Sequence, residues 1–222
     1  MIPWVIVDAE IAPGGTRLEL ARRGDEWEVR SDGATLMSNR AHGSEDELPR
    51  LALREVPRAS RILIGGLGLG YSLRAALALV PASGQVVLAE LSPSVVRWNR
   101  TYPIGPPGRP LDDPRVRLFE GDVQDRLRDR AAYDAILLDV DNGPSALVHD
   151  SNAGLYTRAG ARGCFDALRT PGVLVLWSLT RDAPYLRRLR DVGFEAGEHL
   201  VRARDRGGKK HVLVVGVKRS LV

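Results

Sequence analysis

The 222-residue sequence holds a single cysteine, Cys164, and only four histidines. A lone thiol excludes an intrachain disulfide, and no C-x-x-C or H-x-x-x-H spacing gathers ligands, so no metal is expected. Such sparing use of cysteine fits a reducing cytoplasm. Long apolar runs are also missing: no stretch approaches the roughly 18 residues of a membrane-spanning helix. The opening "MIPWVIVDAE" has no basic segment ahead of a long apolar one, so neither membrane insertion nor export is expected. Nor does one sign of charge dominate. Lys and Arg number 32 against 28 Asp and Glu, a formal net charge of +4, and both signs run the length of the chain. That describes a solvated mixed surface rather than the concentrated basic stripe of a nucleic-acid binder. The densest basic stretch, "RARDRGGKKH" at 202–211, has no interleaved aromatic to stack on bases and reads as a solvated turn. Internal repeats and low-complexity tracts are absent. The 44% hydrophobic content is ample for a core.

What is present changes character near residue 60. In "TRLELARRGDEWEVRSDGATLM" (16–37), Leu18 and Leu20, then Trp27 and Val29, alternate around the turn signals Gly24-Asp25 and Asp32-Gly33. That pattern predicts an antiparallel meander with one wet face. "SEDELPRLALRE" (44–55) adds a short helix or turn. Residues 1–60 are therefore expected to form a small β appendage, and 61–222 the main domain. From Arg61 onward, continuous apolar runs ("RILIG", "QVVLAE", "RVRLFEG", "YDAILLD", "GVLVLWS") alternate with helix-period segments. Runs without polar alternation suit parallel strands covered by helices on both faces. Leu69, Leu73, Ala76, Leu77 and Val80 keep a helical stripe, and "LSPSVVRW" opens a helix with Ser92 as cap and Pro93 in its first turn. The last two runs, "FEAGEHLVRA" and "KHVLVVGV", face each other as a hairpin. The expected fold is α/β: a doubly wound, mostly parallel seven-stranded sheet ending in a β-hairpin, as in class I S-adenosylmethionine-dependent transferases. "PIGPPGRPLDDPR" (103–115) is either a lid or a rigid surface loop.

The chemistry gathers at the carboxyl ends of those strands. "RILIGGLGLGYSLRAAL" (61–77) sets Gly66, Gly68 and Gly70 between a strand and a helix, where backbone can approach a ligand and helix N–H groups point at it. Glu90 ends the next strand about 20 residues on, where an acid can accept both ribose hydroxyls. Asp122 in "EGDV" is placed to meet an adenine edge and equally to cap the helix that follows. Asp139 and Asp141 in "LLDVDNGP" lie at the carboxyl edge of the central strand, beside the switch point of the sheet. An acid there can attract a cationic amine, take its proton, or face a sulfonium. Asn152, His149 and Tyr156 fall in the following loop, where acceptors dock in this architecture. Trp98 reads as core, Trp177 as packing near the cleft, and Cys164 as the buried side of a helix.

Taken in order, "ILIGGLGLG", "VLAELSP", "EGDV" and "YDAILLDVDNGP…LYT" resemble the spermidine synthase (polyamine aminopropyltransferase) family across nearly the whole chain. The resemblance implies that Gly66, Gly68 and Gly70 line an adenosyl sulfonium donor, with Glu90 on its ribose and Asp122 on its adenine. It matches Asp139 to the acid that positions and deprotonates the attacking amine, sets Tyr156 near an aromatic of the family's loop, and implies a homodimer. Three departures stand out. Gly68 occupies the place of the family's acid for the amino group of decarboxylated S-adenosylmethionine, with Leu67 and Leu69 replacing further glycines. Residues 38–60 lack the Tyr-Gln or Tyr-His pair of the polyamine pocket. "DVDNGP" is shorter than the family's D-x-x-D-P, which leaves Asp141 without a matched role, and Glu45, Asp46 and Glu47 are the unplaced acids. A turn without its acid tolerates the carboxylate of S-adenosylmethionine, so methyl transfer to a small nucleophile leads the expectations. Aminopropyl transfer from the decarboxylated donor is the first alternative, and a non-catalytic nucleotide- or RNA-binding relative the second.

Overall fold

A computed structural model describes residues 2–11, 15–140, 150–203 and 210–220. Four antiparallel strands in chain order make the first sheet: β1 (Val5–Ile11), β2 (Arg17–Arg23), β3 (Glu26–Ser31) and β4 (Ala34–Ser38). Leu18, Leu20, Trp27 and Val29 are buried, while Glu28 and Arg30 pair on the other face at 2.7 Å. Asp32 and Gly33 both take positive φ, 48° and 79°, the conformation that a two-residue hairpin turn needs. The meander read from the sequence thus gains a fourth strand. β1 is an edge strand that leaves Val5, Ile6 and Ile11 exposed, so it lacks the alternation by which strands are recognised.

The second sheet contains β5 (Arg61–Gly65), β6 (Gln85–Glu90), β7 (Val116–Glu120), β8 (Tyr133–Leu138), β9 (Leu168–Ser178), β10 (Glu195–Arg202) and β11 (Lys210–Lys218). Their order is β10-β11-β9-β8-β5-β6-β7. The five from β9 to β7 are parallel, and β11 inserts antiparallel between β9 and its hairpin partner β10. Ile62 and Ile64 of β5 pack into one apolar cluster and Leu63 into another, on the opposite face. Strand alternation therefore buries both sides, which is why these runs lack polar residues. The sheet and its terminal hairpin are those the sequence predicts.

Helices cover both faces: α1 (Gly43–Glu55), α2 (Tyr71–Leu79), α3 (Pro93–Thr101), α4 (Val123–Arg126), α5 (Arg158–Ala167) and α6 (Ala183–Asp191). Ser92 caps α3 by accepting from the Val95 N–H, and Pro93 lies in the first turn, where its missing N–H costs nothing. Trp98 is fully buried and its indole donates to Asp8 at 2.9 Å, a core position. Cys164 is buried on α5, and burial pushes its thiol up to about 12. The 103–115 loop packs behind the glycine turn: Ile104 is fully buried, and Pro106 and Pro110 lie against Gly70. No helix among the described residues is long and apolar enough to cross a membrane. Although α1 follows the small sheet in the chain, it packs on α2 and β9 of the large one, and this carries its first turn to the rim of the cleft.

Candidate active site

β5 has β8 on one side and β6 on the other, so the chain leaves it at the point where the winding reverses and a crevice opens above the strand ends. The crevice begins with a turn that only glycine can make. Gly66 has φ +89°, and a Cβ there would stand 2.2 Å from the carbonyl oxygen of Asp139. The turn is thereby pressed onto the end of β8, where the Asp139 N–H donates to the Gly65 carbonyl at 2.9 Å. Gly68 has φ +53°, and its missing Cβ would lie 3.4 Å from the sulfur of Met37 on β4. The small sheet thus reaches over the turn, and a thioether abuts the place where the resemblance puts an acid.

Glu90 is buried at the end of β6. One of its oxygens accepts from the Leu67 N–H at 2.7 Å and the other from the Ser92 N–H at 2.8 Å. Burial raises its pKa, and the backbone donors around it oppose the rise. Backbone N–H groups of Leu91 and Gly68 also act on the carboxyl, which lines the crevice. Asp122 caps α4, accepting from the Gln124 backbone N–H at 2.8 Å and the Gln124 side-chain amide at 3.0 Å, while also lining the crevice. Asp122 thus caps α4 as the sequence suggests, at a position on the crevice wall.

The sequence leaves Glu45, Asp46 and Glu47 unplaced, and α1 now separates them. Asp46 meets Arg74 and His42, with His42 stacked flat on Tyr71 at 4.0 Å. Glu47 pairs with Arg50 at 3.5 Å. Glu45 alone turns into the crevice, where it lines the same wall as Asp139. Burial pushes Glu45 up to about 7, with the Asp139 charge adding to the rise. Burial likewise pushes Asp139 up to about 6, against a hydrogen bond from Ser72 Oγ at 3.1 Å. Two carboxyls that resist ionising together share their protons as a pair. Consecutive acids in the first turn of a helix look alike in sequence, and only the packing of α1 on α2 turns Glu45 among them into the cleft.

Gly66, Gly68, Glu90, Asp122, Asp139 and Glu45 thus share one crevice, whose lining also includes Tyr71, Asn152 and Trp177. Gly70 caps α2 with a left-handed φ of 87° and lies behind the turn. Among the described residues the lining holds four carboxyls and no Lys, Arg or His. Tyr156 is brought elsewhere: it is buried, edge-on to Tyr185 at 5.7 Å, in the core beneath α5 and α6. Asp141 and His149 lie outside the described residues. No group of three potential metal ligands occurs among the described residues.

A reversing parallel sheet, a left-handed glycine turn and an acid at the end of the neighbouring strand make up a class I methyltransferase-like fold. Within that class the fold is spermidine synthase-like. The chain is similar to a crystal structure of spermidine synthase from Thermotoga maritima, with a TM-score of 0.75 and 20% identity over 96% of this chain and 72% of that one. It is similar as well to a crystal structure of spermidine synthase in complex with the transition-state analogue AdoDATO, with a TM-score of 0.77 and 21% identity over 96% and 73% of the two chains. No family model and no curated protein matches the sequence.

Proposed function

We propose that this protein transfers an aminopropyl group from decarboxylated S-adenosylmethionine to an amine. The observation that carries the reading is the charge of the crevice: Glu45, Glu90, Asp122 and Asp139 line it without a Lys, Arg or His among the described residues. A donor tail ending in an ammonium is attracted there, and one that also bears a carboxylate finds no side-chain cation to receive it. This reverses the preference for methyl transfer drawn from the bare turn at Gly68. The similar spermidine synthase structure in complex with AdoDATO supports the same donor class. The glycine turn suits such a donor, because Gly66 and Gly68 line the crevice and bring backbone close to a ligand there.

The bound donor supplies an electrophilic carbon next to a positively charged sulfur. The chain's own residues do the rest. Glu90, oriented by the Leu67 and Ser92 N–H groups, accepts ribose hydroxyls at the crevice wall. Asp139, held by Ser72, and Glu45 attract the acceptor as an ammonium, and their raised pKa values suit them to take its proton near neutral pH. Trp177 and Tyr71 narrow the crevice around the acceptor, so that proximity provides much of the acceleration.

Calorimetric titration with the two donors tests this. Decarboxylated S-adenosylmethionine is expected to bind at least about tenfold more tightly, which is about 1.4 kcal/mol, and mass spectrometry is expected to find an aminopropylated product with a diamine. Tighter binding of the carboxylated donor overturns the reading in favour of methyl transfer.

A further inference from the structure

The first turn of α1 is anchored to the hairpin of the large sheet. The Gly43 N–H donates to the Ala203 carbonyl at 3.0 Å, and the approach is so close that a Cβ on Gly43 would lie 2.8 Å from the Arg202 carbonyl oxygen. Across the hairpin, Val201 on β10 pairs with His211 on β11. This docking sets Ser44, which is fully buried, between two ionisable side chains. Its hydroxyl donates to Glu45 Oε2 at 2.5 Å, and its oxygen lies 2.9 Å from His211 Nδ1. In the Nδ1–H tautomer His211 donates to the serine oxygen, and in the Nε2–H tautomer its bare Nδ1 can accept the hydroxyl proton, so the contact serves either direction of transfer. His211 is part-exposed and stands edge-on to the cleft residue Trp177 at 4.7 Å.

We infer that Ser44 and His211 form a proton relay that drains the carboxyl pair of the cleft to the part-exposed ring of His211. The inference rests on the amine-transfer reading, in which each turnover releases a proton inside the crevice. The acceptor ammonium gives its proton to the Glu45 carboxylate. The resulting acid donates to Ser44 Oγ while the serine hydroxyl, turned to the bare Nδ1 of the Nε2–H tautomer, passes its proton to His211. Glu45 is left a carboxylate, Ser44 a hydroxyl and His211 an imidazolium, which gives one proton to water and returns to the Nε2–H tautomer by exchange. Histidine suits the outer end because it exchanges protons near neutral pH. The field along the path is set by Asp139 and Asp46, which both act on Glu45, with Arg74 and His42 paired to Asp46 and Tyr71 within reach of Glu45. His211 and Ser44 act through Glu45 and do not line the cleft.

The test reads His211 directly by nuclear magnetic resonance titration of its ring in the full chain without donor or acceptor, so its outcome is independent of whether transfer occurs. Glu45→Gln and Ser44→Ala are each expected to lower the titration midpoint of His211 by about half a pH unit. In a Ser44→Ala background, Glu45→Gln is expected to add little. An unmoved midpoint, or a Glu45→Gln effect that is the same with and without the serine hydroxyl, overturns the relay. In turnover assays, Ser44→Ala and His211→Gln are expected to lower kcat/KM about tenfold near pH 6.5 and much less near pH 9, with Ser44→Thr restoring the rate. A pH profile unchanged in His211→Gln overturns the relay while leaving the transfer reading intact, and this part-exposed position keeps the test open if the Ser44 variants fail to fold. Failure of the wild-type protein to bind either donor overturns the transfer reading, and the titration still judges the relay.

Discussion

Asp139→Asn removes one negative charge from the cleft with almost no change in volume, and is expected to make the protein more stable and much less active. The carboxyl stands at the end of β8, receives one hydrogen bond from Ser72 and is raised from 3.8 to about 6 by burial. An acid raised in this way binds more protons folded than unfolded. Its contribution to stability is therefore complete below about pH 4 and is lost as pH rises through about 6. A rise of about 2 pH units corresponds to at most about 3 kcal/mol. Water in the open crevice and the coupling to Glu45 reduce this to roughly 1–2 kcal/mol. For a chain of this length that is a gain of about 2–8 °C in Tm. Thermal unfolding of wild type and Asp139→Asn at about pH 4 and pH 8 is the assay. The two curves are expected to converge at the lower pH and separate at the higher, with turnover reduced about 10²–10⁴-fold. A variant that is less stable than wild type at pH 8, or a difference that does not change with pH, would refute the claim that Asp139 is held against its preference to ionise.

Two further substitutions separate residues inside the crevice from one outside it. Glu90→Gln replaces one acceptor oxygen by an amide, so either the Leu67 or the Ser92 N–H faces a donor instead. The expected cost is about 1–3 kcal/mol of stability and at least about tenfold in donor affinity, read by denaturant titration and calorimetry; an unchanged affinity would remove Glu90 from the ribose. Tyr156→Phe changes a side chain packed against Tyr185 rather than in the cleft, so donor affinity is expected to stay within about twofold. A tenfold loss in calorimetry would return the phenol to the site.

The large sheet was open to reading because burial on both faces leaves a direct trace: "YDAILLD" can be polar only at its ends when Ala135, Ile136 and Leu137 are fully enclosed. Glu90 and Asp139 were legible for the same reason, as charges terminating such runs. Glu45 was not, since three acids follow one another and the choice among them depends on how α1 lies on α2, a contact between distant parts of the chain. Tyr156 erred in the other direction. Its position after β8 suggested the cleft, but α6 supplies Tyr185 and Arg188 beneath it, and the ring joins the core. β1 left no signal because an edge strand with exposed Val5 and Ile11 need not alternate.

Met37 belongs to the small sheet and Gly68 to the turn after β5, yet their side-chain space is common property. A methyl group at 68 would already touch the Met37 sulfur at 3.4 Å, so any larger group there requires the thioether to withdraw or shorten. The backbone itself is no obstacle, because a φ of +53° is tolerated by Asp and Asn. Volume at 37 and volume at 68 should therefore trade against each other across sequences that share this fold, a small residue at one licensing a larger one at the other. A designer seeking to place an acid in the turn has to edit the turn and β4 together, since neither change alone gives the cleft a vacancy and a charge to fill it.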